Sequence, residues 1–264
     1  MARKLSTPGK LFVIGIGPGG EKYLTLAACE ALRKAEIVVG YERYLSQIKP
    51  FLRDKEVVSA QMTEELKRAR EALRLASEGH LVALVSGGDP AIYGMSAPVF
   101  EVLAVENFSC AIEIIPGVTA ASAAAAKLGA PISTDVAFIS LSDRLTPWER
   151  IKQRLLAAAE GDFVLAIYNP ASRRRQTLLP KAIDLLLSCK SPETPVAIAK
   201  NLTREGERLL LTTLSSLKDF LSEVDMATLL LIGNSETTRM GDFLLTPRGY
   251  GQKYGLFSGG QEDV

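Results

Sequence analysis

The chain has 264 residues, 47% of them hydrophobic and 23% charged, an ordinary globular balance that can bury a sizeable core without disulfide or metal staples. Lys plus Arg is 31 against 30 for Asp plus Glu, a net charge of +1, which argues against a dedicated nucleic-acid binder. No apolar stretch approaches the roughly 18 residues of a membrane span, and the basic start is not followed by a signal-peptide apolar region.

Apolar runs at 11–16, 37–39, 81–85 and 112–115 read as buried strands. Between them, residues 63–77 place Leu66, Ala69, Leu73 and Ala76 on one helical face, with Lys and Arg opposite. Residues 118–128 are dense in alanine and read as a helix packed closely on other backbone. This alternation predicts a mostly parallel sheet with helices on both faces. Gly129 and Pro131 break the preceding helix, so an N-terminal α/β domain is expected over 10–131 and a C-terminal one over 132–248.

In the second half the strand-like runs are 137–141, 163–168, 196–199, 209–212 and 228–232. A helix between the first two has a start signal: Thr146 to cap it, Pro147 at its first position, and Glu149 to complete a capping box. The run from Leu209 follows the polar turn Arg204-Glu205-Gly206-Glu207 and is expected to form a hairpin with the strand before it, making this sheet mixed. From about Gly249 to the end the chain reads as a loose tail. The cysteines, Cys29, Cys110 and Cys189, are odd in number and far apart, which suits a reducing, cytoplasmic setting. The one histidine, His80, sits in a turn before a strand, so no metal centre is expected.

Three glycine-bearing turns follow successive strands. The first is Gly15-Ile16-Gly17-Pro18-Gly19-Gly20, in which Gly15, Gly17 and Gly20 match the dinucleotide fingerprint G-x-G-x-x-G, with Glu42 as an acidic residue further on. That fingerprint needs a helix beginning inside the glycine loop with free N–H groups. Pro18 removes one N–H, and the helical pattern starts only near Thr25. The second turn is Ser86-Gly87-Gly88-Asp89-Pro90, leading into Ala91-Ile92-Tyr93-Gly94. Its glycines let a ligand approach the backbone, Asp89 offers a carboxylate, and Pro90 starts the next helix. The third is Pro116-Gly117-Val118-Thr119-Ala120-Ala121-Ser122, a small polar notch. Ligands in open α/β sheets sit beyond the carboxyl ends of strands, so these turns should gather there.

The second half adds Leu141-Ser142-Asp143, Tyr168-Asn169-Pro170 and Gly233-Asn234-Ser235-Glu236-Thr237, each expected to face the first domain's turns. The run Arg173-Arg174-Arg175 is by default a solvated face, and beside a cleft it suits substrate carboxylates.

Together these segments resemble the tetrapyrrole methylases, over about 11–248. The closer resemblance is to the branch that methylates C17 of precorrin-3B or cobalt-factor III. Its marks are Leu141-Ser142-Asp143 with Thr146-Pro147-Trp148-Glu149, then Tyr168-Asn169-Pro170-Ala171-Ser172-Arg173. Pro192-Glu193-Thr194-Pro195-Val196, Asn201-Leu202 and Arg204-Glu205-Gly206-Glu207 also fit. The resemblance implies a two-domain α/β fold, that of the class III methyltransferases, with a mostly parallel N-terminal sheet and a mixed C-terminal one. It implies a homodimer that uses S-adenosylmethionine, held in a cleft between domains.

Carried over by position, Pro18, Gly87, Gly88, Asp89, Ile92, Tyr93, Thr119, Ala120, Tyr168, Asn169 and Leu202 are the cofactor residues. Gly15, Gly17 and Gly19 face the macrocycle. Arg144, Arg173, Arg174, Arg175, Lys200 and Arg204 are expected to meet its carboxylates, and Ser142 and Asp143 to handle the proton or hydroxyl of ring contraction. The alternatives are a sibling methylase acting at another ring carbon, a more distant one acting on ribosomal RNA, a non-catalytic tetrapyrrole carrier, and a nicotinamide dehydrogenase built on the first glycine turn.

Overall fold

The computed structural model describes residues 9–61, 63–172 and 176–255. It divides into two compact units, one ending at Ala120 and the other beginning at Ala121.

The first unit carries β1 (Lys10–Gly15), α1 (Leu26–Lys34), β2 (Ile37–Tyr41), α2 (Glu42–Leu45), β3 (Glu56–Ala60), α3 (Glu65–Ser77), β4 (Leu81–Ser86), α4 (Ser96–Leu103) and β5 (Ala111–Ile115). Its strands form one parallel sheet in the order β3-β2-β4-β1-β5. Side chains alternate across a strand. Leu11 and Val13 of β1 therefore join Leu73, Ala76, Val99 and Val102 of α3 and α4 in one core. Phe12 and Ile14 join Ala28 and Leu32 of α1 in another on the opposite face. Cover on both faces is why the central strands read as continuous apolar runs. The edge strand β3 lacks that signal, because Glu56, Val57 and Ser59 are exposed. On α3, Ala69, Leu73 and Ala76 are buried as expected, but Leu66 is 49% exposed. It lies in the first turn, and the buried face begins only at Arg68 and Ala69.

The second unit carries α5 (Ala120–Leu128, from its second residue), β6 (Gly129–Ala130), β7 (Val136–Ser140), α6 (Trp148–Glu160), β8 (Val164–Tyr168), α7 (Leu178–Leu187), β9 (Pro195–Lys200), β10 (Arg208–Thr213), β11 (Thr228–Ile232), β12 (Thr238–Met240), β13 (Phe243–Leu245) and α8 (Tyr250–Tyr254). The main sheet runs β10-β9-β11-β8-β7. Strands β7 and β8 are parallel and the other pairs antiparallel, so the sheet is mixed and β9–β10 is the expected hairpin. Helices α6 and α7 cover one face with Ile151, Leu155, Leu179 and Ile183 packed on Ile139, Leu165, Ile167, Ile198 and Leu230.

Two expectations are corrected here, and one sheet goes beyond them. Thr146 does not cap α6: the helix begins at Trp148 after Pro147, whose extended ψ of 149° makes Pro147 the capping residue, without a side-chain bond. The sequence pattern shows nothing of the small sheet β12-β13-β6, whose strands have only two or three residues each. Within the stretch read as a tail, 250–254 form a helical turn between left-handed Gly249 and Gly255. Residues from 256 onward lie outside the described part.

Candidate functional site

In the first unit β4, β1 and β5 are neighbours running the same way, so the three glycine turns meet beyond their carboxyl ends. The meeting is one of backbone. Gly17 and Gly88 form an antiparallel bridge, and the Ile16 N–H donates to the Ser86 carbonyl at 2.9 Å. The Asp89 carboxylate links the second and third turns: Oδ1 accepts from the Ala91 N–H at 2.8 Å and Oδ2 from the Gly117 N–H at 3.0 Å. A Cβ on Gly117 would stand 2.1 Å from the Gly88 carbonyl oxygen, and one on Gly15 would stand 2.6 Å from the Gly117 nitrogen. Only glycine allows this approach. The Ser86 hydroxyl, 2% exposed as a residue, accepts from the Met95 N–H and fixes the far side of the second turn.

Of the sequence-predicted residues of this unit, Gly15, Gly17, Gly88, Asp89 and Thr119 are thus brought together. Gly15, Gly17 and Gly19 are buried, Pro18 is half-buried beside them, and Thr119 is buried. Gly87 is covered by the Tyr44 ring, within 2.7 Å of where its Cβ would be. Tyr44 in turn meets Tyr41 edge-on. Neither tyrosine carries a local sequence signal for this role. Gly88 is different: at φ 66° its missing side chain would meet only the Thr119 Cα, at 3.9 Å. That leaves an open cradle between Gly88 and Thr119. Ile92 is half-buried nearby in sequence, and Tyr93 is exposed with a left-handed φ of 52°. A non-glycine residue held there costs of order 1–3 kcal/mol, and such strain clusters at ligand sites. Pro90 does not open the helix as expected; the turn continues to Met95 and α4 starts at Ser96.

The same geometry removes the dinucleotide reading. β4 lies between β1 and β2, so Glu42, which follows β2, sits two strands from the glycine turn. The Ile16 and Gly17 N–H groups are already bonded to the β4 turn, and α1 begins at Leu26 with Thr25 as its cap. Those two N–H groups are therefore not free to meet a pyrophosphate, and no helix begins inside the turn.

In the second unit the register places the ends of β7, β8 and β9 and the starts of β10 and β11 on one edge: Ser140 pairs with Tyr168, and Lys200 with both Thr228 and Arg208. The Ser140 hydroxyl accepts from the Ser142 N–H at 3.2 Å and from Asn169 Nδ2 at 3.0 Å, tying two predicted residues together. Asn169 has φ 51°. The Tyr168 hydroxyl accepts from the Ala121 N–H at 3.2 Å, in the first turn of α5. Asp143 and Arg144 are exposed on the turn after β7.

Leu202 is 3% exposed, in a β9–β10 turn whose Asn201 and Thr203 have φ 49° and 63°. Arg204 closes that turn through its N–H to the Asn201 carbonyl. Lys200 is paired with Asp225 at 3.3 Å, and that carboxyl is held below its ordinary range. Burial opposes the shift, but the Ala227 N–H, Lys200 and Thr228 outweigh it. Arg173, Arg174 and Arg175 lie outside the described residues.

The three turns of this unit do not share one edge. The turn 233–237 follows β11, which runs antiparallel to β8, so it lies on the opposite edge from Ser142 and Asn169. There it is part of a structural knot. Lys190, 8% exposed, donates to the Phe163 and Gly233 carbonyls and pairs with Asp162, which also holds Ser235.

A parallel sheet with three interlocked glycine turns, and a second, mixed sheet in the following unit, define the class III fold of S-adenosylmethionine-dependent methyltransferases. Residues 10–218 match the profile of the Tetrapyrrole (Corrin/Porphyrin) Methylases, and the chain belongs to that family. It is 47% identical over 240 residues to a probable cobalt-factor III C(17)-methyltransferase of Salmonella typhimurium, covering 91% of this chain and 99% of that one. It is 46% identical over 252 residues to the cobalamin biosynthesis protein CbiHC of Archaeoglobus fulgidus, covering 96% of this chain but only 55% of that one. Among solved structures, the methyltransferase CobJ superposes with a TM-score of 0.85 at 36% identity, over 90% of this chain and all of that one.

Proposed function

We propose that this chain is an S-adenosylmethionine-dependent C-methyltransferase acting at C17 of precorrin-3B or cobalt-factor III, with ring contraction, in cobalamin biosynthesis. The observation that carries the reading is the meeting of three turns beyond β4, β1 and β5, with the open cradle between Gly88 and Thr119. The likeness to the Salmonella protein over nearly all of both chains supports C17 as the carbon.

The residues present fit the methyl donor. A side chain at Gly88 would fill the cradle, and Thr119 lines it. When bound, S-adenosylmethionine supplies a methyl group on a positively charged sulfur, to be met by a nucleophilic ring carbon. From the first unit, Pro18, Gly87, Gly88, Ile92, Tyr93, Thr119 and Ala120 would hold it, and Asp89 sets the spacing of the turns that do so. Tyr168, Asn169 and Leu202, carried over from the same resemblance, belong to the proposal as cofactor residues. Gly15, Gly17 and Gly19 would face the macrocycle, and Ser142 and Asp143 would take and return the proton of ring contraction. The chain's main task is orientation, which intramolecular models credit with up to about 7–11 kcal/mol. A homodimer belongs to the same proposal.

The test is a paired anaerobic turnover with S-adenosylmethionine and either precorrin-3B or cobalt-factor III, read by absorbance and mass. One added methyl group with a ring-contracted spectrum on either substrate is expected, and the substrate that turns over identifies the branch. Binding of S-adenosylhomocysteine without methyl gain on either would move the chain to a sibling reaction.

A further inference from the structure

We propose that Glu207 and Lys127, neither of them given a role by the family resemblance, are positioning residues for the cofactor, a role that rests on the reading of Ala120, Tyr168 and Leu202 as cofactor residues. Helix α5 is held at both ends. Near its start the Ala121 N–H donates to the Tyr168 hydroxyl at 3.2 Å, and near its end the Lys127 ammonium donates to Glu207 Oε1 at 2.7 Å. The two anchors are six residues apart, about 9 Å of helix. The end of β8 and the end of β9 are separated by two strand spacings, about 9.6 Å. The helix therefore reaches from the Tyr168 end of β8 to the β9–β10 turn on the same sheet edge.

The other Glu207 oxygen, Oε2, accepts from the Thr203 N–H. One carboxylate thus ties α5 to a turn in which Leu202 is buried between two left-handed residues, Asn201 and Thr203. A β-branched residue in that conformation is a genuine outlier, and it persists only where the surroundings over-determine it. Glu207 is a side chain outside the strained residues that holds one of them, through the Thr203 N–H. The pair is only partly screened, with its side chains 30% and 26% exposed. Loss of Glu207 removes a tie of the Leu202 turn and a tie of the end of α5 together.

The experiment compares Glu207→Ala, Glu207→Gln, Lys127→Met and Lys127→Arg with the wild-type chain. It measures S-adenosylhomocysteine binding by calorimetry, KM for each substrate, kcat and thermal midpoint. Glu207→Ala is expected to raise the Kd for S-adenosylhomocysteine and the KM for S-adenosylmethionine about tenfold, roughly the loss of one charge-assisted bond, with kcat and the tetrapyrrole KM within about twofold. Glu207→Gln, which keeps an acceptor for Thr203, and Lys127→Arg, which keeps the charge, are expected to restore most of the affinity. Should Glu207→Ala not fold, Lys127→Met carries the test, with an expected loss of about threefold. A Kd within about twofold of wild type in folded Glu207→Ala or Lys127→Met overturns the proposal. Failure of the wild-type chain to bind S-adenosylhomocysteine overturns the cofactor reading itself, and this role with it.

Discussion

Gly17 and Gly88 exchange two backbone hydrogen bonds, from the Gly17 N–H to the Gly88 carbonyl at 3.1 Å and from the Gly88 N–H to the Gly17 carbonyl at 2.8 Å. Both residues have positive φ, 73° and 66°. The bridge turns two loops that the sequence separates widely into one rigid body. It also spends the N–H groups that a phosphate-binding glycine loop would need, so the first turn shapes a surface instead of cradling an anion.

The close packing of Gly15, Gly88 and Gly117 makes a steric prediction. Gly117→Ala places a Cβ against the Gly88 carbonyl and the Gly15 backbone. Destabilisation of about 1–3 kcal/mol is expected, as for other overpacked positions, together with loss of S-adenosylhomocysteine binding. Gly241→Ala is the control, because its Cβ would meet nothing within 4 Å and only the left-handed backbone, about 1–2 kcal/mol, is at stake. Urea unfolding of both variants, with calorimetric binding, checks this; unchanged binding in Gly117→Ala would contradict it.

Asp89 acts first as a strut. In Asp89→Asn one oxygen remains to accept, and the amide N–H₂ would face either the Ala91 or the Gly117 N–H, both donors. A loss of about 1–3 kcal/mol in stability is expected from the unsatisfied group, with weaker S-adenosylhomocysteine binding. Asp89→Glu should not rescue either quantity, since the longer side chain misplaces both oxygens. Full rescue by glutamate would show that charge alone matters at this position.

Asn169 separates backbone from side chain. At φ 51° it sits where glycine is tolerated and alanine is not. Asn169→Ala should therefore cost about 1–2 kcal/mol more stability than Asn169→Gly. Both variants lose the bond to Ser140 Oγ. If the chemistry depends on that bond, kcat falls equally in the two; if it depends on the backbone, glycine alone recovers it.

Acid stability follows from two aspartates. Burial raises the pKa of Asp162, but the Ser235 bonds and Lys190 outweigh it, and the result lies below the ordinary value of 3.8. Asp225 is shifted the same way, as its partners Ala227 N–H, Lys200 and Thr228 overcome burial. A carboxylate whose folded pKa is depressed stabilises fully above its unfolded value and loses that contribution as pH falls through the folded one. The contribution of these two carboxylates should thus be flat above about pH 5 and decline below about pH 4. Because Asp162 and Asp225 are largely solvated, each is expected to contribute no more than about 1 kcal/mol. In Asp162→Asn and Asp225→Asn the acid limb of a urea-midpoint profile should become shallower; an unchanged limb in both would refute the assignment.

Much was legible locally. The runs at 11–16 and 81–85 became β1 and β4 because strands buried on both faces must be apolar throughout. The hairpin around Arg204-Glu205-Gly206-Glu207 formed as a polar turn between apolar runs predicts. Other features had no local trace. β3 is an edge strand with polar residues outward, and Tyr44 is an ordinary helix residue until Gly87 lies beneath it. The start of α6 slipped by one residue because Pro147 favoured the extended side of the boundary.

The amino-acid sequence by itself determined the strand and helix runs, the glycine turns at strand ends and the family they belong to, since these depend on periodicity, backbone freedom and short motifs. Only the tertiary structure decided that β4 lies between β1 and β2, which brings Gly17 onto Gly88 and Asp89 onto Gly117. It also decided that β11 runs against β8, which removes the turn 233–237 from the edge carrying Ser142 and Asn169. Strand order and direction are chosen by how faces far apart in the chain bury one another, and no local window of residues contains that information.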